Sequence, residues 1–477
     1  MSKKGKQGLI KLFMSFAIGP IGAALINFLT IPVITWMVTP EEYGKTAIFI
    51  LMQTLTTALI FLGMDQSFVR EYNERENKRE LLFISFLIPL LFSFVTAIFI
   101  LFFDEELAGL LFNENNVVVI QLFALWIPFI TLERFLLLNI RMQEKGLIYS
   151  YFNILSKLLI FLFTLLLLLF WAKNYTVVIA ANVAGQIITD LILIFYCRKS
   201  ISISYKYLNK KLINKMFRFG TPFIPTAFLM WFINSTDRII LQRYSSPSEL
   251  GVYFAALKVV GVFTIFQTIF STFWIPIAYK WENEKVDTKE FTKISHYLTC
   301  SMSIIFLLIL FVKKVFVLIL STQYSDVIYI VPFLIFFPIM FTMGETTGLG
   351  IAFARKTHYN IWISIILAIV NFIINIVLVK QYDAVGASIA IGITYILYFW
   401  IRTLVSRRVW YKFKLKFYAI HTIILIIAST LNLLITSNII YIINIIFLFL
   451  LIIYDRNIIK EILLSIKISI SNKRTAR

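Results

Sequence analysis

The sequence predicts an all-α polytopic membrane protein of about 14 transmembrane helices, arranged as two six-helix pseudo-repeat lobes followed by two further helices. Three observations carry that expectation: the composition, the length and number of the apolar runs, and the placement of the basic residues. Of 477 residues, 60% are hydrophobic, 16% aromatic and only 15% charged, and the mean hydropathy is +0.85. A soluble domain carries about 25% charged residues, so this chain lacks the polar surface to cover a globule of its size. Its solvent must be lipid.

A helix needs about 20 apolar residues to cross the hydrocarbon layer. Such runs lie near 12-36, 45-66, 81-103, 117-140, 149-171, 176-197, 214-241, 251-277, 295-312, 327-352, 358-379, 384-405, 415-435 and 438-454. The N-terminal Met-Ser-Lys-Lys-Gly-Lys resembles the basic region of a signal peptide, but the apolar run behind it extends to Trp36 and reads as an uncleaved first span.

The basic residues orient the spans. With a cytoplasmic N-terminus, 34 of the 45 Lys and Arg fall on the inner side and six (Lys45, Lys173, Arg243, Lys313, Lys314, Lys380) on the outer side. Both termini are therefore expected on the cytoplasmic side of the membrane. The acidic Asp104-Glu105-Glu106 loop fits the outer face, and Trp36, Trp171, Trp281 and Trp410 sit at helix ends as interfacial aromatics do.

The same distribution explains the net charge of +20. In a soluble chain it would suggest nucleic acid; here the basic clusters between apolar runs meet anionic headgroups, and no nucleic-acid partner is implied. Cys197 and Cys300 are too few for a disulfide framework and read as reduced. His296, His358 and His421 are scattered, no metal-ligand spacing occurs, and no phosphate-binding Gly-x-x-x-x-Gly-Lys loop is present, so no metal or cofactor is expected. No loop is long enough to fold as a domain, the longest being the basic segment near Arg198 to Lys215, and nothing here points to an enzyme.

One internal repeat stands out. Thr39-Pro-Glu-Glu-Tyr-Gly aligns with Ser246-Pro-Ser-Glu-Leu-Gly, and at the same offset Asn27 falls on Asn234. The expected organisation is a lobe over 1-205, a second over 206-410, and two extra helices with a basic tail over 411-477. An even number of helices per lobe keeps the copies in one orientation, as in transporters that rock one half against the other.

Ionisable groups inside a span cost roughly 2.5 to 3.5 kcal/mol each at the bilayer centre on insertion scales, so they should face the bundle interior or a watery cavity. The acids are Asp65, Glu133, Asp190, Asp237 and Glu345; the bases are Arg134, Lys157, Arg238, Lys258 and Arg402. Polar stripes recur at helical spacing in Asn182-Gln186-Asp190, in Asn371-Asn375 and in Thr394-Tyr398-Arg402, where helix-to-helix hydrogen bonding is the simplest role. Substrate-cavity candidates are Arg238, Lys258, Asp237, Asn234, Arg134 and Trp231, and coupling-ion candidates are Asp65, Glu133, Asp190 and Glu345. A cationic cavity suits an anionic substrate such as a phosphate or diphosphate headgroup. Paired prolines, Pro20 and Pro32, Pro222 and Pro225, Pro332 and Pro338, interrupt backbone bonding within apolar runs.

These residues resemble a family. Gly220-Thr-Pro-Phe-Ile-Pro, Asn234-Ser-Thr-Asp-Arg-Ile-Ile-Leu and Ser248-Glu-Leu-Gly-Val-Tyr-Phe-Ala-Ala-Leu-Lys are similar to spans seven and eight of polysaccharide-unit flippases. Phe28-Leu-Thr-Ile-Pro, Asn371-Phe-Ile-Ile-Asn and Val385-Gly-Ala-Ser-Ile-Ala extend the likeness from about residue 10 to 410. The chain thus resembles the O-antigen and exopolysaccharide flippases of the multidrug, oligosaccharidyl-lipid and polysaccharide exporter superfamily. The resemblance implies two six-helix lobes around a central cavity. It also implies ion-coupled passage of an undecaprenyl-diphosphate-linked oligosaccharide, a unit of O-antigen (in lipopolysaccharide), capsule or exopolysaccharide, from the cytoplasmic to the outer leaflet. Asp237 and Arg238 then occupy the family's Asp-Arg position and Lys258 its basic position, for substrate binding, proton coupling or bracing of the fold. Partners of such a role are the lipid-linked oligosaccharide, membrane lipids, and polysaccharide polymerase and chain-length proteins. The alternatives are a lipid-linked peptidoglycan precursor flippase and a cation-coupled drug exporter, whose cavity should be more acidic. More distant are a membrane polysaccharide polymerase or ligase, against which the short outer loops stand, and a structural scaffold.

Overall fold

A computed structural model of the chain describes residues 3–201, 209–356, 358–462 and 464. The basic tail expected at the C-terminus and part of the basic segment after Arg198 lie outside the described residues. Among the described residues every regular element is helical. Among the described residues eleven helices are long and apolar enough to cross a membrane, thirteen if two bent pairs each count as one span. The 52-residue α18 (His358–Val409) would run roughly 78 Å if straight, far beyond a hydrocarbon layer of about 30 Å. It breaks at Tyr382 and Asp383, where φ is −137° and 46°, and counting its halves separately restores the fourteen passes read from the sequence. The Ser245 hydroxyl donates to Asp383 Oδ1 at 2.6 Å and holds that break.

The chain divides into two compact units, Met1–Gln242 with Ser246–Phe254, and Arg243–Ser245 with Ala255–Arg477. The first holds α1 (Lys3–Met37), α2 (Pro40–Leu59), α3 (Met64–Glu71), α4 (Lys78–Phe102), α5 (Asp104–Phe112), α6 (Val117–Met142), α7 (Gly146–Phe170), α8 (Tyr175–Cys197), α9 (Lys210–Gly220), nearly all of α10 (Phe223–Tyr244) and the first half of α11 (Pro247–Gly261). Lipid as solvent is visible in α4: Leu91, Val95, Phe99 and Phe102 form an exposed stripe at helical spacing, while Leu82, Phe86 and Ser93 face inward. The inward residues of α3, α4, α6 and α9, among them Phe68, Leu81, Phe135 and Met216, make one buried cluster. Small residues bring backbones together: the Gly19 N–H donates to Ser150 Oγ at 2.9 Å where α1 lies along α7, and Gly185 of α8 abuts the Ile160 backbone of α7.

The repeated segments are two copies of one helix start that meet each other. Thr39 caps α2 by accepting from the Glu42 N–H at 3.4 Å, and Ser246 caps α11 by accepting from the Glu249 N–H at 3.2 Å; a proline follows each cap. The glycines of the two copies then cross. A Cβ on Gly44 would lie 1.8 Å from the Pro247 carbonyl oxygen, and one on Gly251 would lie 1.8 Å from that of Pro40. Such an exchange is what a local twofold relation produces. Beside it Lys45, read from sequence as a loop residue, is buried in the first turns of α2 and donates to Glu114 Oε1 at 2.5 Å. That hydrogen bond is the chief reason the Glu114 carboxyl, in the segment between α5 and α6, is held below its usual pKa. The Tyr175 hydroxyl completes the cluster by donating to Glu114 Oε2 at 2.9 Å.

The second unit holds α12 (Phe263–Asn283), α13 (Thr288–Phe311), α14 (Lys313–Leu320), α15 (Val327–Leu334), α16 (Phe336–Thr347), α17 (Leu349–Phe353), α18, α19 (Lys416–Leu434) and α20 (Ile439–Tyr454). Its last two helices are tied together by reciprocal amide bonds, Asn432 Nδ2 to Asn444 Oδ1 at 2.7 Å and the reverse at 3.2 Å. Lys313 donates to the Asn432 carbonyl at 2.9 Å, and burial pushes that ammonium down to about 8. Cys197 and Cys300 are free and buried.

Gly44→Ala should lower stability by about 1–3 kcal/mol, the usual cost of forcing an extra group into packed backbone. Gly109→Ala, whose Cβ would meet nothing closer than Asn115 Oδ1 at 4.0 Å, should be neutral or better. Thermal unfolding of the purified protein in detergent compares the two; equal melting temperatures would refute the crossing.

Candidate functional site

Two spans of the first unit are broken, and the breaks touch. The second span bends by 48° between α2 and α3, where Leu62 and Gly63 take positive φ. The seventh breaks between α9 and α10 at Gly220-Thr221-Pro222, since proline cannot continue the i→i−4 ladder. A Cβ on Gly63 would fall 2.1 Å from the Gly220 carbonyl oxygen, so glycine is needed there both for its φ of +69° and for the approach. The short halves are then fastened to each other. The Ser67 hydroxyl donates to the Met216 carbonyl at 2.6 Å, Lys215 pairs with buried Glu71 at 2.7 Å, and Arg70 stacks over the Phe219 ring at 4.3 Å.

Beside the breaks lies a cavity of about 650 Å³ bounded by α2, α3, α6 and α10. Its floor of charge is an ion pair: Arg134 of α6 donates to Asp65 Oδ2 from Nη2 at 2.7 Å and from Nε at 3.3 Å. Gln66 Nε2 donates to the same oxygen at 3.0 Å, and the Phe61 ring lies 5.6 Å from the guanidinium. The Asp65 side chain is 9% exposed and that of Arg134 41%, so the cation, not the carboxylate, faces the open volume. Arg134 Nη1 donates to none of the described residues. The remaining wall is neutral and polar along one side, with Thr54, Thr57, Thr226 and Asn234, and aromatic or apolar along the other, with Trp231, Phe223 and Met230. Trp231 Nε1 donates to Thr54 Oγ1 at 3.1 Å, which fixes the indole across the cavity wall.

Behind Arg134, α6 turns its neighbour Glu133 toward α7 and α8. Lys157 interacts electrostatically there with both Glu133 and Asp190. Gln186 Nε2 donates to Asp190 Oδ1 at 3.1 Å and the Ser156 hydroxyl to Gln186 Oε1 at 2.9 Å, while Asp190 Oδ2 is buried without a hydrogen bond among the described residues. Adjacent positions on one helix thus serve two charge clusters, one open to the cavity and one closed.

The candidates read from sequence separate into four groups. Arg134, Asp65, Trp231 and Asn234 line the cavity. Glu133 and Asp190 form the closed cluster behind it. Asp237 and Arg238 lie one turn beyond Asn234, outside the cavity wall: the Tyr253 hydroxyl donates to Asp237 Oδ2, and Arg238 donates to the Asn234 carbonyl and lies 3.8 Å from Asp237. Lys258 and Glu345 belong to the second unit, where Arg402 Nη1 donates to Glu345 Oε1 at 3.1 Å and to the Tyr398 hydroxyl at 2.8 Å. The neutral stripes hold helices together: Asn182 accepts from Gln53 at 3.3 Å and Asn371 donates to Thr394 at 3.0 Å. Sequence reasoning missed Thr54, Thr57, Gln66 and Thr226, because small polar residues are common in spans and only the helix breaks bring these four to one wall. The signal available was Leu62-Gly63 next to Asp65, a glycine beside an intramembrane charge. Among the described residues no group of three His, Cys, Asp or Glu side chains could hold a metal ion.

The fold is shared with known membrane transporters. The chain is similar to a structure of the lipid II flippase MurJ in an inward closed conformation, with 16% identity, a TM-score of 0.68, and 93% of this chain and 99% of that one covered. It is similar also to an inward-facing multidrug resistance MATE family transporter of the MOP superfamily, with 12% identity, a TM-score of 0.57, and 81% and 94% covered. A probable low-salt glycan biosynthesis flippase of Haloferax volcanii, Agl15, is 19% identical over 216 residues, 44% of this chain; the match spans 45% of that relative's length. The family profile described as "Polysaccharide biosynthesis protein" matches residues 9–282, more than half of the chain and a stretch that contains every residue lining the cavity, and the chain therefore belongs to that family of multi-pass membrane proteins.

Proposed function

We propose that the protein is a transporter, not an enzyme, and that it flips a lipid-diphosphate-linked oligosaccharide across the membrane through the cavity at the two helix breaks. The observation that carries this reading is Arg134, a guanidinium held by one carboxylate oxygen with a free donor edge turned into a polar cavity. Arginine presents two parallel N–H groups that match phosphate oxygens, so a diphosphate can replace Asp65 on it. The threonines, Gln66 and Asn234 supply hydrogen bonds for sugar hydroxyls, and Trp231 an apolar face for a sugar ring. Displacement of Asp65 by an anion leaves a carboxylate without its cation, which ties substrate binding to uptake of a coupling proton or metal cation. Glu133, Asp190 and, in the second unit, Glu345 are further coupling candidates; Arg238, Asp237 and Lys258 are candidates for later contacts along the path. Broken spans at the binding site are a usual device of transporters that alternate access.

Several finer expectations belong to the same reading. The substrate is an O-antigen, capsule or exopolysaccharide unit on undecaprenyl diphosphate, the membrane is the bacterial cytoplasmic one with both termini inside, and polymerase and chain-length proteins act downstream. The six-helix halves 1-205 and 206-410, with 411-477 appended, are the parts that alternate. The MurJ-like fold favours one second reading, a lipid-linked peptidoglycan precursor as cargo, which presents the same diphosphate to Arg134.

Removing Arg134 alone strands a mostly buried carboxylate, so the informative variant is Asp65→Asn/Arg134→Gln, which removes both charges. In liposomes it should insert and melt normally yet translocate a lipid-diphosphate oligosaccharide at least about tenfold more slowly, the scale of losing one charge-assisted pair of about 1.5–3 kcal/mol. Wild-type rates in this variant would sink the cavity reading, and faster flipping of a peptidoglycan precursor than of any oligosaccharide lipid would select the second cargo.

Orientation has its own test. Lys173→Cys should react in intact cells with a membrane-impermeant maleimide and Lys356→Cys only after permeabilisation, against a silent background from buried Cys197 and Cys300. The reverse pattern would invert the topology.

A further inference from the structure

The second unit contains another cavity, of about 740 Å³, that the transport reading does not use. It lies where α13 begins, beside the irregular segment 411–414 and against the helix Arg456–Ile462, which is bent by 75° from α20. A helix turned so far does not continue α20 in its own direction.

Lys289, Lys293, Lys412 and Lys414 line this cavity, and Glu461 is the one carboxylate among the lining residues. Burial alternates along the segment: Phe413 is buried and Tyr411 half-buried, while Lys412 and Lys414 are exposed. The segment is fixed in place. Tyr411 and Thr292 share a hydrogen bond of 2.7 Å, and Arg407 Nε donates to the Phe413 carbonyl at 2.8 Å. Glu461 is already engaged, accepting from the Tyr297 hydroxyl at 2.6 Å with Lys293 Nζ at 3.5 Å. Lys412 and Lys414 form no ion pair among the described residues. At the back of the cavity His296 stacks on Phe417 at 4.1 Å, and its Nε2 is buried with no hydrogen-bond partner among the described residues.

Lys289 lies 4.0 Å from Asp287 and Lys293 near Glu461, so the charge left uncompensated among the described residues is that of Lys412 and Lys414; with the His296 ring nitrogen behind them they form a receptor for a compact, oxygen-rich anion. Below the cavity, α20 exposes Ile446, Phe449, Leu450 and Ile453 on one side, an apolar surface against which acyl chains can lie. We propose that this cavity is a phosphate site at the membrane boundary, suited to the headgroup of an anionic phospholipid and open in principle to free phosphate. It would anchor the segment between α18 and α19 and the bent end of α20 to the lipid surface.

Melting temperatures of the full chain in neutral detergent supply the test. Added dioleoylphosphatidylglycerol is compared with dioleoylphosphatidylcholine, and inorganic phosphate with sodium chloride of equal ionic strength. Wild type should be stabilised by phosphatidylglycerol, and Lys412→Gln/Lys414→Gln should need roughly tenfold or more of that lipid for the same shift, from about 1 kcal/mol per basic residue at an anionic surface. Lys412→Arg/Lys414→Arg should keep the response, and so should Lys173→Gln/Lys356→Gln, which loses the same charge elsewhere. A response to phosphate alone assigns the site to the free ion; a response to phosphatidylglycerol alone assigns it to the headgroup. If neither ligand stabilises wild type beyond its control, or if the Lys173→Gln/Lys356→Gln chain loses the response equally, the proposal is overturned. Because no transport is measured, either failure leaves the flippase reading standing on its own tests.

Discussion

In hydrocarbon a charged side chain has no water to fall back on, and the interior of this protein is arranged around that fact. Each intramembrane charge whose surroundings are described has found a counter-charge or a hydrogen-bonding group. Arg402 rests on Glu345 and Tyr398, Lys157 lies among Glu133 and Asp190, and Arg134 is matched to Asp65. What distinguishes the last pair is its asymmetry. Asp65 is closed off by Gln66 and Arg134 while the guanidinium stays half open, so the pair is neutral as a unit yet presents a cation to anything that enters. A symmetric buried pair would brace the fold and do nothing else; truncating either member of such a pair typically costs 3–5 kcal/mol, which is why these residues resist casual change.

The elements around the Arg134–Asp65 pair meet through close backbone contacts that only glycine permits. Gly44 and Gly251 let two similar helix starts cross at carbonyl distance, and Gly63 and Gly220 let two broken spans meet. Between the crossing and the meeting point, α2 and α10 flank the cavity and set Thr54 against Trp231. The proline and capping residues of the repeat start both helices at corresponding places, and the glycines let them approach. One six-residue motif, used twice, therefore fixes much of the geometry in which the cavity sits. The cavity of the second unit rests on a different principle. An irregular segment alternates aromatic and basic residues, the aromatics are the more buried, and the lysines are left exposed beside the cavity.

Much of this protein was legible in its sequence. Composition made lipid the solvent, run lengths gave the passes, and the Thr39-Pro and Ser246-Pro match exposed the repeat, because each of these depends on local chemistry that a linear pattern records. The ten intramembrane charges were equally visible, since any such group stands out in a chain composed for oil. Their grouping was not. Glu133 and Arg134 are adjacent in sequence but face different clusters, and Arg238, the more prominent residue by motif, donates from Nη2 to the Asn234 carbonyl of its own helix and keeps Nε buried without a hydrogen bond among the described residues, while Arg134 lines the cavity. Lys45 passed for a loop residue because charge suggests exposure, whereas Glu114, 69 positions away, buries it. A sequence lists which groups must be satisfied in a solvent without hydrogen bonds; which partner satisfies each depends on helix rotation, on breaks at Gly63 and Gly220, and on contacts far apart along the chain, and only the tertiary structure decides those.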